Sequence, residues 1–254
     1  MQYTAKPELL KDRVILITGA GAGIGAAVAK AYASHGATLV LLDKNIPALE
    51  LVYDDIVASG APTPALYPLD LQGASIPDYD ELARNIHDNF ERLDGLVHCA
   101  ASLGQIAPVQ HQDPKVWLET LHINLTAPYL LTRACLTLMQ KYDKASIIFT
   151  TDNHKDTAYW AGYGVSKGAI ESLSKQLADE LECENRVRVN TVDPGTVQTK
   201  LHARAFPAID PTSLPTPEEI VPTYLYLMGD DSLEINGQVI SAQGTACQYA
   251  DTII

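Results

Sequence analysis

The amino-acid sequence predicts an α/β fold: a single domain over residues 1–254, built as a doubly wound parallel sheet of about seven strands with helices on both faces. Three observations predict it. Apolar strand-like runs alternate with helical-period segments from residue 13 almost to the end, which is the pattern of repeated βαβ units. A glycine-rich turn joins the first strand to the first helix. The length of 254 residues, with 46% hydrophobic and 19% charged side chains, suits one such unit with a complete core, and no repeat or low-complexity tract divides it.

Each element can be justified in turn. Residues 13–18 form an apolar strand that runs into the glycine turn. The small and apolar side chains of 24–35 then suit a helix packed closely on a sheet and closed by Gly36. The second strand is 38–42, ending at Asp43. A helix over 46–59, a short strand over 65–69, a helix over 79–92 and a fourth strand over 96–100 follow. A long helix is expected over 114–139, bent at Pro128, before the β-branched strand 146–151. A second long helix over 159–182 precedes the strands 187–192 and 238–241. Right-handed crossovers place the helices on both faces and leave the ligand cleft at the carboxyl ends of the strands. The one long irregular stretch, 199–217, carries four prolines and is the candidate substrate lid.

Composition excludes several functions. A net charge of −13 and a pI near 4.8 oppose phosphate backbones and anionic lipid, so neither nucleic acid nor a membrane is an expected partner. No apolar run approaches the roughly 18 to 20 residues that span a bilayer, and the first residues are polar, so a cytoplasmic protein is expected. Cys99, Cys135, Cys183 and Cys247 lie far apart and read as reduced thiols, mostly in the core. The seven histidines are equally scattered, and no metal is expected.

The first chemistry-bearing motif is Thr18-Gly19-Ala20-Gly21-Ala22-Gly23-Ile24-Gly25, between a strand and a helix. There the backbone must approach a diphosphate closely and side chains would obstruct it, so the motif is a dinucleotide seat and the fold a Rossmann fold. Asp43 at the end of the second strand can accept hydrogen bonds from the adenosine ribose hydroxyls and would repel a 2′-phosphate; its plain alternative is a helix N-cap. With alanine at position 22 the expected cofactor is NAD rather than NADP, although Lys44 follows Asp43 directly.

The second is Tyr163 with Lys167, four apart on one face of a helix. A lysine ammonium there can stabilise tyrosinate and lower its pKa from about 10 toward neutrality, making the phenol a usable general acid or base.

With these residues in place, the chain resembles the short-chain dehydrogenase/reductase family. The matches are Thr18-Gly19 with Gly23 and Gly25, Asn124, Tyr163 with Lys167, and Asn190 with Pro194-Gly195, in an order that covers almost the whole chain. Ala205-Phe206-Pro207, Pro217 and the run 224–232 are similar to a bacterial branch of mostly uncharacterised oxidoreductases. The resemblance implies hydride transfer between a nicotinamide and an alcohol or carbonyl carbon, with Tyr163 exchanging the oxygen-bound proton and Lys167 also holding the nicotinamide ribose. It implies that Asn124 interrupts its helix and holds a water linking Lys167 to solvent. Asp70 and Leu71 would contact adenine, Ala100 and Ala101 would lie beneath the cofactor, and Pro194, Gly195, Val197 and Thr199 would support the nicotinamide. Thr18, Gly19, Gly23, Ile24, Gly25 and Asp43 complete that cofactor set. The helices 114–139 and 159–182 would build a two-fold interface, giving a homodimer or homotetramer.

Two departures stand out. The family's Asn-Asn-Ala-Gly stretch is His98-Cys99-Ala100-Ala101 here, with His98 read as a satisfied structural histidine. The family serine that polarises the substrate oxygen is missing. Strand alignment puts Asp152 in its place, whereas counting thirteen residues back from Tyr163 gives Thr150. By alternation Thr150 and Asp152 share a face, and Thr151 points away unless the strand end twists. An ionised Asp152 would raise the tyrosine pKa and repel an alkoxide, a protonated one could donate a hydrogen bond, and a third reading leaves Asp152 solvated with a threonine polarising the substrate. Two functions follow. One is an NAD(H)-dependent oxidoreductase for a small alcohol or carbonyl compound, shaped by 199–217, the loop 102–111, Trp160 and Phe206. The other is a catalytically impaired NAD-binding sensor or scaffold; a sensor has no need of Asn124, Tyr163 and Lys167 together, which favours the enzyme.

Overall fold

A computed structural model describes residues 3–184 and 186–244. Its centre is one seven-stranded sheet of β1 (Val14–Thr18), β2 (Thr38–Asp43), β3 (Ala65–Pro68), β4 (Gly95–His98), β5 (Ala145–Thr150), β6 (Val187–Asp193) and β7 (Val239–Ser241). The order is β3-β2-β1-β4-β5-β6-β7, and every pairing is parallel. The chain winds outward from β1 in one direction and from β4 in the other, so the crossovers part between these two strands and a crevice opens at their carboxyl ends.

Both faces are covered, which is why the central strands are continuously apolar rather than alternating. On one face α1 (Gly23–Ser34), α2 (Ile46–Ala58) and α8 (Pro217–Met228) pack against Ile15, Ile17, Leu39 and Leu41. On the other, α3 (Ile76–Phe90), α5 (Ala127–Met139) and α6 (Ala161–Glu182) pack against Leu16, Val40, Leu96 and Phe149. Each such side chain, fully withdrawn from water, contributes about 1.5 to 3 kcal/mol, and together they hold the strand ends that carry the site.

Several expected boundaries are corrected. The helix expected over 114–139 is α4 (Pro114–Leu121) and α5, separated by one π-helical turn at His122–Thr126. Pro128 does not cause the break: it sits in the first turn of α5, where its missing N–H needs no partner. α3 begins at Ile76, earlier than expected, because Ser75 and Asp78 form a capping box. The stretch 199–217 is not wholly irregular, since it holds α7 (Lys200–Ala205) and a short 3₁₀ turn at Pro211–Ser213. α8 was not anticipated; Thr216 and Glu219 cap it, and its interior Pro222 hides it from a pattern search. Among the described cysteines, none paired, Cys135 is buried, Cys99 partly buried and Cys183 exposed; Cys247 lies outside the described residues. No described helix is long and apolar enough to cross a membrane.

Candidate active site

A cleft of about 740 Å³ lies across the carboxyl ends of the strands. At its floor the turn from β1 to α1 is pressed against the end of β4. Gly19 has φ +67°, and a Cβ there would stand 2.8 Å from the Ala100 backbone; a Cβ on Gly25 would overlap the Gly19 carbonyl oxygen. Thr18, buried behind the wall, accepts hydrogen bonds on Oγ1 from the amides of Cys99 and Ala100, both at 3.2 Å, and so locks the two strand ends together. The N-cap of α1 is Ala22, which offers no side-chain cap, so the amides of Gly23, Ile24 and Gly25 border the cleft as a ready anion seat. The residues present therefore fit a dinucleotide diphosphate.

The remaining expected cofactor residues line the same cleft: Asp43, Asp70, Leu71, Ala100, Ala101, Pro194, Gly195, Val197 and Thr199. Asp43 is not a helix N-cap; Asn45 caps α2. Instead the Asp43 carboxylate ties down the glycine turn, accepting from Gly21 N at 3.1 Å on Oδ2 and from Asn45 N at 3.0 Å on Oδ1. Lys44 reaches Asp70 only loosely, at 3.8 Å, with both side chains more than half exposed. At the far end, Gly195 takes φ +64° and donates its N–H to Asp193, while Thr199 caps α7 by accepting from His202 N.

Tyr163 and Lys167 project from the first turns of α6 and are both almost fully buried. The Tyr163 hydroxyl donates to Asp152 Oδ2 at 2.9 Å. Lys167 Nζ donates to the Thr150 carbonyl at 2.8 Å and stands 5.5 Å from the centre of the Tyr163 ring. Burial pushes the tyrosine well above 10, and the charge and hydrogen bond of Asp152 push it further the same way. The expectation that Lys167 lowers this pKa is thus reversed in the protein by itself. Lys167 is in turn lowered by burial, with Asp152 opposing.

Of the three candidates for the missing serine, only Asp152 reaches the tyrosine. Thr150 Oγ1 turns to Tyr224 Oη at 3.0 Å and Cys99 Sγ at 3.6 Å, while Thr151 Oγ1 donates to Glu171 Oε1 at 2.8 Å. Thr150 and Asp152 both line the cleft; Thr151 N still bonds the Val192 carbonyl of β6 at 2.9 Å, and the extended Asp152 that follows caps a 3₁₀ turn at Asn153–Asp156. That turn also presents a residue the sequence reading missed. His154 Nδ1 lies 2.6 Å from Asp152 Oδ1, and its ring stacks on Trp160 at 4.1 Å. No motif marks it. The only available signal was that the segment from β5 to Tyr163 is two residues short and rich in polar side chains.

Asn124 sits in the π-turn, behind the cleft wall. Its Oδ1 accepts from Ser102 N at 2.7 Å, and its Nδ2 donates to Ser102 O at 2.9 Å and Ser166 Oγ at 3.1 Å, so it ties the loop after β4 to α6 beside Tyr163. His98 is buried, stacked on Phe149 at 4.7 Å, and bonded through Nε2 to Thr132 Oγ1 at 3.0 Å. Burial pushes Cys99 up to about 11, so its thiol is no nucleophile at neutral pH.

Comparison with known proteins identifies the family. The sequence profile of the short chain dehydrogenases matches residues 13–210. The uncharacterized oxidoreductase YciK of Escherichia coli K12 is 41% identical over 245 residues, covering 96% of each chain. A solved structure from Pseudomonas syringae is 46% identical, with a TM-score of 0.93 over 96% of this chain and 99% of that one. A Shigella flexneri structure complexed with NADP is 41% identical, with a TM-score of 0.91 over 94% and 100% of the two chains. A structure from Escherichia coli CFT073 with the same identity and TM-score is complexed with NADPH. These complexes overturn the expectation of NAD and point to NADP. The expectation treated Asp43 as a free repelling charge, whereas two backbone N–H groups engage its carboxylate and Lys30, Lys44 and Arg204 line the same cleft.

Proposed function

The chain belongs to the short-chain dehydrogenase family, and from that premise we propose that it is an NADP(H)-dependent oxidoreductase interconverting a small alcohol and its carbonyl compound, with Tyr163 as general acid and base. The observation that carries the reading is that the Tyr163 hydroxyl opens on the same cleft as the uncapped amides of α1. The amides of Gly23, Ile24 and Gly25 hold the diphosphate, with Gly19 letting the backbone approach, and Lys44 meets the 2′-phosphate. Asp70 and Leu71 receive the adenine. Ala100 and Ala101 support the cofactor from below, and Pro194, Gly195, Val197 and Thr199 hold the nicotinamide end. The bound dinucleotide supplies or accepts a hydride.

Tyr163 gives a proton to the substrate oxygen during reduction and takes it back during oxidation. Lys167 orients the nicotinamide ribose and counters charge on the phenolate. Asn124 fixes the position of α6 behind them, and Asp152 takes the place of the polarising serine. Residues 199–217 close over the substrate, with Phe206 and Trp160 as an apolar wall; these two rings already pack 5.7 Å apart. Leu118, Tyr129 and Val165, exposed on α4, α5 and α6, support a homodimer or homotetramer built through these helices. A cytoplasmic location accords with the acidic composition. The test is NADPH oxidation against a panel of ketones, aldehydes and quinones: wild type turns over at least one, and Tyr163→Phe abolishes turnover while NADPH still binds. A wild type that binds NADPH and reduces nothing would instead identify a binding protein.

A further inference from the structure

The carboxylate at position 152 creates a problem that the rest of the site must solve. Beside Tyr163 a bare negative charge would oppose charge building on the substrate oxygen and would hinder the phenol from losing its proton. The structure places an imidazole against that carboxylate. Asp152 bridges the two rings: Oδ2 accepts from the Tyr163 hydroxyl at 2.9 Å, and Oδ1 meets His154 Nδ1 at 2.6 Å as well as the His154 amide at 2.8 Å. The contact to the imidazole is a short, direct hydrogen bond.

The arrangement also has a direction. Tyr163 is 4% exposed, while the side chains of Asp152 and His154 are 18% and 20% exposed, so the bonded series leads from the buried phenol toward water. Asp152 caps the turn that carries His154, and the imidazole stacks on Trp160 with Phe206 5.5 Å away. The other charged neighbours leave the pair intact. Lys155 is engaged with Glu171 at 2.6 Å, Asp193 interacts with Asp152 only through space, and His202 on α7 feels the charge of His154. Lys167 spends its ammonium on the Thr150 carbonyl.

We propose that Asp152 and His154 form a proton path between Tyr163 and solvent, a role that rests on the oxidoreductase reading above. In the reducing direction the Tyr163 O–H bond breaks as its proton passes to the substrate oxygen. The His154 Nδ1–H bond of the imidazolium then breaks, the proton crosses the Asp152 carboxylate, and a new Tyr163 O–H bond forms. His154 is left neutral and regains its proton from water. Only protons move along the path; the two electrons of the reduction arrive with the hydride from NADPH. Oxidation of the alcohol runs the same path outward. Asp152 meets the reacting hydroxyl, whereas His154 acts through it and is a positioning residue.

The experiment compares wild type with His154→Asn, whose amide can still hydrogen-bond Asp152 but cannot pass a proton, and with His154→Ala. Bound NADPH serves as the check that each variant is folded. Both variants lower kcat ten- to a hundredfold with KM and the NADPH Kd within about twofold, and added imidazole restores His154→Ala but not His154→Asn. By proton NMR, a downfield imidazole N–H resonance belongs to His154 and is lost in Asp152→Asn. An active wild type with a fully active His154→Asn, no rescue by imidazole, or a resonance indifferent to Asp152→Asn overturns the path alone. A wild type that binds NADPH but reduces no compound in the panel overturns the oxidoreductase reading, and the path with it.

Discussion

The Tyr163 hydroxyl donates to Asp152 across 2.9 Å, and this contact sets the resting state of the phenol. Burial is the largest cause of its raised pKa and the Asp152 charge the next, so the phenol is held protonated and ready to donate. Replacing Asp152 with Asn or Ser removes the second cause and leaves the first. The Tyr163 ionisation midpoint therefore falls, while staying above that of free tyrosine, in a phenolate absorbance titration corrected with Tyr163→Phe. An unchanged midpoint would show that the carboxylate carries no effective charge there. In turnover, Asp152→Ser retains about tenfold more activity than Asp152→Ala, because a hydroxyl can still polarise the substrate oxygen.

Cofactor choice hinges on the two residues that follow β2. The Asp43 carboxylate is drawn back onto the glycine turn, while Lys44 is loosely tethered and free to meet a phosphate. Lys44→Ala is expected to weaken NADPH about tenfold, or about 1.4 kcal/mol, with little change for NADH. Asp43→Ala relieves the remaining repulsion but loosens the turn, so NADPH gains less than NADH loses. Calorimetric titration of both dinucleotides decides this; equal losses of NADPH and NADH on Lys44→Ala would remove Lys44 from the phosphate site.

The floor of the cleft tolerates no side chain at its tightest point. At Gly19 a methyl group would meet the Ala100 backbone at 2.8 Å, on a residue whose φ of +67° already disfavours any side chain. Gly19→Ala should cost about 1 to 3 kcal/mol of stability from backbone strain and displacement of β4, and should lose most NADPH affinity because the anion seat shifts with it. Urea unfolding and NADPH titration measure the two effects. A variant that binds NADPH normally would show that the turn is not the seat.

How far the sequence reached is set by which interactions are local. The sheet was legible because strands buried on both faces are continuously apolar, and the glycine turn because backbone approach leaves a mark in residue type. The break at Asn124 was implied only by the family resemblance, and its π-helical form by nothing local, since Asn124 bonds there to Ser102 and Ser166, partners remote in sequence. α8 stayed hidden behind Pro222, and His154 joins the site only through the 3₁₀ turn that Asp152 caps, which no sequence pattern marks. Asp43 misled for a similar reason: its charge is plain in the sequence, whereas the two amides that engage it belong to the folded turn.

His98 stands where the family pattern has asparagine. Its ring is buried between Phe149 and Thr132, and burial, with a lesser push from the Lys167 charge, lowers its pKa from 6.5 to about 3. The sign follows from proton counting. Between about pH 6.5 and pH 3 the unfolded chain binds a proton at this residue that the folded chain does not, so stability falls as the pH drops through that window, at about 1.4 kcal/mol per pH unit for one proton. The whole window is worth roughly 5 kcal/mol, and nothing is lost above it. His98→Asn removes the ionisable group. It costs about 1 to 2 kcal/mol near neutral pH through the lost stacking on Phe149, yet its stability declines less steeply on acidification by the equivalent of one proton. Urea unfolding at a series of pH values from about 4 to 7 measures both slopes. Parallel slopes for the two proteins would mean that His98 can take up a proton in the folded state, and that the pocket between β4 and α5 opens to admit it.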